Sequence, residues 1–114
     1  MTRVIAVESI LAVADMPRAV DHYTRLGFEI SYYDEGYAFA QRQGVNLHLD
    51  RTDSPPPGGG ILYLHVDDAD ELAATWRAAG ADVTEPEDCP WGKREGVHRD
   101  PDGNTIRFGS AVKQ

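Results

Sequence analysis

Two segments of equal length align without a gap. Val13–Ile30 reads VADMPRAVDHYTRLGFEI, and Val66–Val83 reads VDDADELAATWRAAGADV. Five features fall in step: Val13 with Val66, Asp15 with Asp68, Tyr23 with Trp76, Gly27 with Gly80, and Ile30 with Val83. A repeat this long indicates a duplicated structural unit, so whatever one half folds into, the other must approximate. Each copy opens on the end of a strand. Asp15 or Asp68 can then accept bonds from the free N–H groups of a helix start. Pro17 sits in a first turn, where its missing N–H costs little. Gly27 and Gly80 are placed to end the helices in a left-handed cap. Met16, Ala19, Val20, Tyr23 and Leu26 line one side of the first helix at helical spacing, and Ala69, Leu72, Ala73, Trp76 and Ala79 do so in the second. His22 falls on the polar side of the first helix, which predicts exposure.

Strand candidates follow the first helix at Glu29–Tyr33, Tyr37–Arg42 and Val45–Asp50, separated by the hairpin-like Asp34-Glu35-Gly36 and Gln43-Gly44. The run RTDSPPPGGG then breaks the chain, because three prolines and three glycines suit neither a helix nor a central strand. ILYLHV restarts the pattern. Further strands are expected near Asp82–Glu85, Lys93–Arg99 and Thr105–Ser110, the last two joined by a turn at Asp100-Pro101-Asp102-Gly103-Asn104. The order is strand, helix, three strands, twice. We expect an α+β fold of two βαβββ units, about 1–53 and 60–114, joined by a linker at 52–60 within one domain spanning 1–114. Each unit makes a curved sheet with a helix on one face, and its other face needs a partner. Two such units side by side can enclose a cavity between their sheets.

Composition narrows the function. Nineteen acids oppose 11 Lys and Arg, a formal net charge of -8. That argues against nucleic acid, which needs a basic face. It permits a cationic ligand, whose approach an acidic cleft speeds. Cys89, the only cysteine, reads as a plain loop residue and excludes an internal disulfide and a two-cysteine metal site. Glu8 and Asp15 interrupt the N-terminal apolar stretch, so no signal peptide is expected. No run reaches the roughly 18 apolar residues of a spanning helix, so neither is a membrane partner. The expectation is a cytoplasmic protein.

The repeat, the stretch LAVADMPRAVDHYTRLGF and the closing HRDPDGNTIRFG resemble the glyoxalase/bleomycin-resistance/dioxygenase superfamily, also called vicinal oxygen chelate proteins. The resemblance covers nearly the whole chain. It implies cupped mixed sheets, paired across a homodimer with exchange of the first strand, the proline-glycine linker letting the two units separate. The enzymes of that superfamily hold a divalent metal with His or Glu from the first and fourth strands of each unit. Matching residue by residue puts those positions at Glu8, His48, Ile61 and Arg107. Ile61 has no donor atom, and Arg107 carries a fixed positive charge. Two ligands are thin for a catalytic divalent ion, so neither a metal nor another cofactor is expected.

Bleomycin-resistance proteins depart from the enzymes in this way. Pro90-Trp91-Gly92-Lys93-Arg94-Glu95 and Asp100, Pro101, Gly103 and Asn104 fit their pattern, while Gly96 stands where a phenylalanine is usual. The resemblance implies a non-catalytic binder whose dimer grooves trap a cationic, metal-chelating glycopeptide drug. It places Tyr32, Tyr37 and Asp50 at ligand-contact positions, and Tyr63 and His65 where tryptophans are frequent. The residues allow this on their own chemistry. Aromatic faces sandwich flat ligands and attract cations, and nearby carboxylates such as Asp34 and Glu35 add to that attraction. The same tyrosines would also pack a hairpin. Trp91 reads either as a groove wall, with Arg94 and Glu95 holding it by polar contacts, or as a packing anchor. His48 and Arg107 are secondary candidates. His98 and His65 read as sheet-face residues more than as bases. Two alternatives stay open: a metal-dependent lyase, thiol transferase or dioxygenase on the same fold, and a binding module for an unknown metabolite.

Overall fold

The structure is a computed structural model and describes residues 1–113. The first unit comprises β1 (Ser9–Val13), α1 (Met16–Arg25), β2 (Glu29–Asp34), β3 (Tyr37–Arg42) and β4 (Val45–Arg51). The second comprises β5 (Ile61–His65), α2 (Ala69–Ala78), β6 (Asp82–Val83), β7 (Glu87–Asp88), β8 (Lys93–Arg99) and β9 (Thr105–Ala111). The strand orders match: β1-β4-β3-β2 in one sheet and β5-β9-β8-β6 in the other, with β7 pairing on β8. In each sheet the first strand runs parallel to the last, and the remaining pairs are antiparallel.

The helix ends follow from local chemistry. Asp15 Oδ1 accepts from Arg18 N at 3.0 Å, and Asp68 Oδ1 accepts from Glu71 N at 3.0 Å. These bonds satisfy donors that an α-helix leaves free at its start. Gly27 and Gly80 follow the helices at φ +95° and +87°, where a side chain would be strained. The expected strand at Asp82–Glu85 is shorter. It stops at Val83, and Glu87–Asp88 forms a second short pairing that the sequence pattern does not announce. Pro86 lies between them and cannot donate to a ladder. The first strand starts at Ser9, so residues 1–8 carry no regular structure, and Val4, Ile5 and Val7 are exposed.

One core serves both units. Leu11, Val13, Tyr23, Leu47 and Leu49 of the first join Ala73, Trp76, Ile106 and Phe108 of the second. Gly96 lies directly beneath the Phe108 ring, and a Cβ there would stand 2.5 Å from it. The space of the phenylalanine usual at that position is thus taken by a ring from the neighbouring strand.

Polar bonds also cross between units. Trp76 Nε1 donates to Leu26 O at 3.1 Å, Tyr23 OH donates to Asp100 Oδ2 at 2.7 Å, and Asn104 Nδ2 donates to Ala12 O at 3.0 Å. Arg18 and the Ala14 N–H both donate to Asp102 Oδ1. The turn at Asp100–Asn104 therefore reverses the chain and also fastens the second unit to the first. The linker follows suit. Gly60 N donates to Asn104 Oδ1 at 2.7 Å, and a Cβ on Gly59 would meet the Gly103 backbone at 2.7 Å. The expectation that the linker lets the units separate is corrected: they are packed together within one chain.

His22 is also corrected. It is buried at 6% exposure, with its ring stacked on that of the fully buried His98. Their Nε2 atoms lie 2.9 Å apart. His98 Nδ1 lies 2.8 Å from Asp82 O, which can only accept, so that nitrogen carries the proton. In the neutral ring His98 Nε2 then accepts, and His22 Nε2–H donates. One position on the polar side of α1 is thus a contact with the other unit, while Asp21, Thr24 and Arg25 beside it stay exposed.

Candidate functional site

Strand alternation sorts the candidate residues onto faces. In the first sheet Leu11, Ala38, Ala40, Leu47 and Leu49 are buried on the helix side. Ile10, Tyr37, Phe39, His48 and Asp50 occupy the other side, in register as Ile10 with His48, Phe39 with His48, and Tyr37 with Asp50. Ile10 is 58% exposed and Phe39 38%. In the second sheet the corresponding face carries Ile61, Tyr63, His65, Glu95 and Arg107, with Tyr63 beside Arg107 in register.

On the first face His48 is held from both ends. Its Nε2 lies 2.6 Å from Glu8 Oε1, and its Nδ1 lies 2.7 Å from Tyr37 OH. A carboxylate only accepts, so Nε2 carries a proton, and in the neutral ring Nδ1 accepts from the phenol. The Tyr37 hydroxyl is pushed above the ordinary tyrosine range by desolvation, then by Asp50 and Glu8. Phe39 meets His48 and Tyr37 edge to face.

On the second face Glu95 is the centre. Its Oε2 accepts from Tyr63 OH at 2.8 Å and from Trp91 Nε1 at 3.0 Å, and its Oε1 accepts from Arg107 at 2.9 Å. The carboxyl is held below the ordinary glutamate range, first by the Trp91 bond, then by those from Tyr63 and Arg107, against desolvation. Next to it, Arg94 reaches the opposite way, to Asp70 on α2 and Asp88 on β7. Trp91 itself is 64% exposed. Apart from its bonded N–H, the indole stands free of the core, which favours the wall over the packing anchor.

Tyr37, His48 and Asp50 thus share one face, and Tyr63, His65, Trp91 and Arg107 share the other. Tyr32 does not join Tyr37. It pairs with Ala38 on the helix-side register, and the register shifts between Tyr32 and Asp34. Asp34 Oδ1 accepts from Gly36 N at 2.8 Å, so it shapes the turn that carries Glu35. His65 lies 4.9 Å from the Tyr63 ring and also borders a cleft of about 400 Å³ between the units, floored by Phe28, Leu64 and Trp76. A second cleft of about 410 Å³ separates the 6–9 segment and β4 from β5. Two residues of the faces were not singled out from sequence as ligand contacts. Phe39 lies two positions from Tyr37, so alternation alone could have placed it. Glu95 acquires its role from Tyr63 and Arg107, which no local pattern links to it.

The family model for the Glyoxalase/Bleomycin resistance protein/Dioxygenase superfamily matches residues 4–108. The chain belongs to that superfamily. Known structures agree with this membership. The bleomycin-binding protein from bleomycin-producing Streptomyces verticillus, solved with copper(II)-bleomycin, is 27% identical with a TM-score of 0.83, over 99% of this chain and 100% of that one. TioX from Micromonospora sp. ML1 is 29% identical with a TM-score of 0.76, over 92% and 97%. A bleomycin resistance determinant encoded on the transposon Tn5 has a TM-score of 0.87 over 96% and 100%; at 23% identity it shows the shared fold alone. No curated protein matched the chain in sequence.

The superfamily's enzymes raise the question of a metal. The four positions carry Glu8, His48, Ile61 and Arg107, and they do not fit one. Only Glu8 and His48 carry donor atoms for a metal, Ile61 offers none, and the Arg107 guanidinium is bonded to Glu95. A cation beside Arg107 would be repelled. Among the described residues no three His, Cys, Asp or Glu side chains gather.

Proposed function

We propose that this protein binds a flat, cationic small molecule of the bleomycin type, without metal chemistry of its own, in grooves between two copies of the chain. The observation that carries the reading is the pair of uncovered sheet faces. One presents Phe39, Tyr37, His48 and Asp50, and the other presents Tyr63, Trp91 and Arg107. Neither cleft described above contains Tyr37, Asp50 or Trp91. Each unit's helix covers one side of its sheet, so a groove lined by these residues needs a second sheet opposite. With the units fastened together inside each chain, a second copy is the simplest source. The exposed apolar 1–8 segment and the free edges of β1 and β5 suit such pairing, including exchange of the first strand. The similarity to bleomycin-binding structures supports the ligand class. The donor chemistry at Ile61 and Arg107 favours a binder over a metal-dependent enzyme.

The test is a thermal-shift series with bleomycin and phleomycin, run alongside solution mass at micromolar protein. A ligand that binds only the native state raises the melting temperature by mass action. We expect a concentration-dependent rise and a mass of twice 12.6 kDa. A 12.6 kDa monomer that binds bleomycin would refute the shared groove. A dimer that no cationic glycopeptide stabilises would refute the ligand class.

A further inference from the structure

Glu95 has a carboxylate inside a candidate groove for a cation, and the direct reading would make it a ligand contact. Its surroundings oppose that. The side chain is 8% exposed, and both oxygens are engaged: Oε2 by Trp91 and Tyr63, Oε1 by Arg107, with the Cys89 thiol 3.7 Å away. The Arg107 guanidinium offsets its charge. A cation arriving at this face would have to displace a paired arginine and two bonded rings.

The two rings need such a holder. Trp91 follows Pro90 and precedes Gly92 at φ +88°, in a turn where the indole is 64% exposed and its N–H is bonded only to Glu95. Tyr63 is fitted just as closely. A Cβ on Gly109 would lie 1.9 Å from its hydroxyl oxygen, so the phenol reaches Glu95 across a gap that only glycine leaves open. One carboxylate, anchored by Arg107 from β9, thus fixes two aromatic rings from two different segments.

We infer that Glu95 is the positioning residue of the aromatic wall, setting the orientation of Trp91 and Tyr63 before ligand arrives while making no ligand contact itself. This rests on the reading that those rings face a flat ligand. Ordering an aromatic side chain on binding costs affinity, and a site with its rings already fixed avoids that cost. Recognition is then divided. The second face supplies preset flat surface with its charge already paired, and the attraction for a cation falls to Asp50 on the first face.

The experiment uses the two tryptophans. In ¹⁵N-labelled protein each gives an indole N–H resonance. Trp76, buried and bonded to Leu26 O, is the internal reference for an intact fold. Loss of one resonance in Trp91→Phe assigns the other. In Glu95→Gln the Trp91 resonance should shift and exchange faster with water while that of Trp76 stays in place. Bleomycin affinity should fall roughly five- to hundredfold, the cost of re-ordering two freed aromatic side chains. If Glu95→Gln does not fold, Glu95→Asp retains the charge but withdraws it by one methylene, and the same two changes are expected. An unmoved Trp91 resonance in a folded variant overturns the inference. So does a moved resonance with unchanged bleomycin affinity. If the parent protein binds no bleomycin, the proposed ligand class fails, and the indole resonance alone then decides whether Glu95 holds the rings.

Discussion

Replacing Tyr23 with phenylalanine isolates one bond between the two units. The ring is fully buried and meets His22 and Phe28 edge to face, so phenylalanine fills the same space and leaves no cavity. Only the 2.7 Å hydroxyl bond to Asp100 Oδ2 is lost. A hydrogen bond to a charged group contributes about 1.5–3 kcal/mol. Asp100 keeps three others, from Asn104 Nδ2 and from the N–H groups of Asp102 and Asn104, so it is not left unpaired. That places the expected loss at the low end, about 1.5–2 kcal/mol. For a chain of this size it corresponds to a fall of roughly 6–8 °C in melting temperature. Urea unfolding at fixed protein concentration is the assay, since self-association would add a concentration term. The midpoint should drop with an unchanged slope. A loss below about 0.5 kcal/mol would show that this bond does not help fasten the units.

Three further outcomes follow from the structure. Burial first, and His98 next, lower the His22 pKa to about 4. The unfolded chain therefore takes up a proton before the folded one, and stability present above pH 6.5 should decline as pH falls from 6.5 toward 4, by at most about 3 kcal/mol. Unfolding midpoints of the parent and His22→Gln across that range check this; the variant should lose much of the slope. Gly96→Ala should cost about 1–3 kcal/mol in urea unfolding, because the new methyl group meets the buried Phe108 ring. Trp91→Ala should cost no more than about 1 kcal/mol, because the indole is exposed and water can replace its N–H at Glu95 Oε2. It should weaken bleomycin binding by roughly 1–3 kcal/mol in calorimetric titration.

The helices were legible because their signals are local. Asp15, Asp68, Gly27 and Gly80 act within a few residues of where they stand. The strands were legible from alternation wherever one face is buried, as in Tyr37–Arg42. What failed was long-range or depended on an irregularity. His22 looks like a surface residue until His98 arrives from the other unit. Tyr32 and Tyr37 look like partners until one extra residue in β2 places Tyr32 on the helix-side register. The sequence sets Arg94 and Glu95 together behind Trp91, and only the fold parts them, turning Arg94 to Asp70 and Asp88 and bringing Tyr63 and Arg107 to Glu95. At the second sheet's outer face, the rings and arginine came from a resemblance, and their connection came from packing.

The fastening of the Asp100–Asn104 turn bears on how the protein can be modified. By sequence it is a surface hairpin tip, the sort of place where an epitope or fluorescent insert is usually tolerated. Here an insert would pull Asp102 from Arg18 and Asn104 from Ala12, and so separate the halves of the molecule. Gln43-Gly44 is the safer site: a Cβ on Gly44 would meet nothing within 4 Å. A reporter placed there would keep the bonds of Asp102 and Asn104, and would crowd only the mouths of the two clefts that Gln43 and Gly44 border.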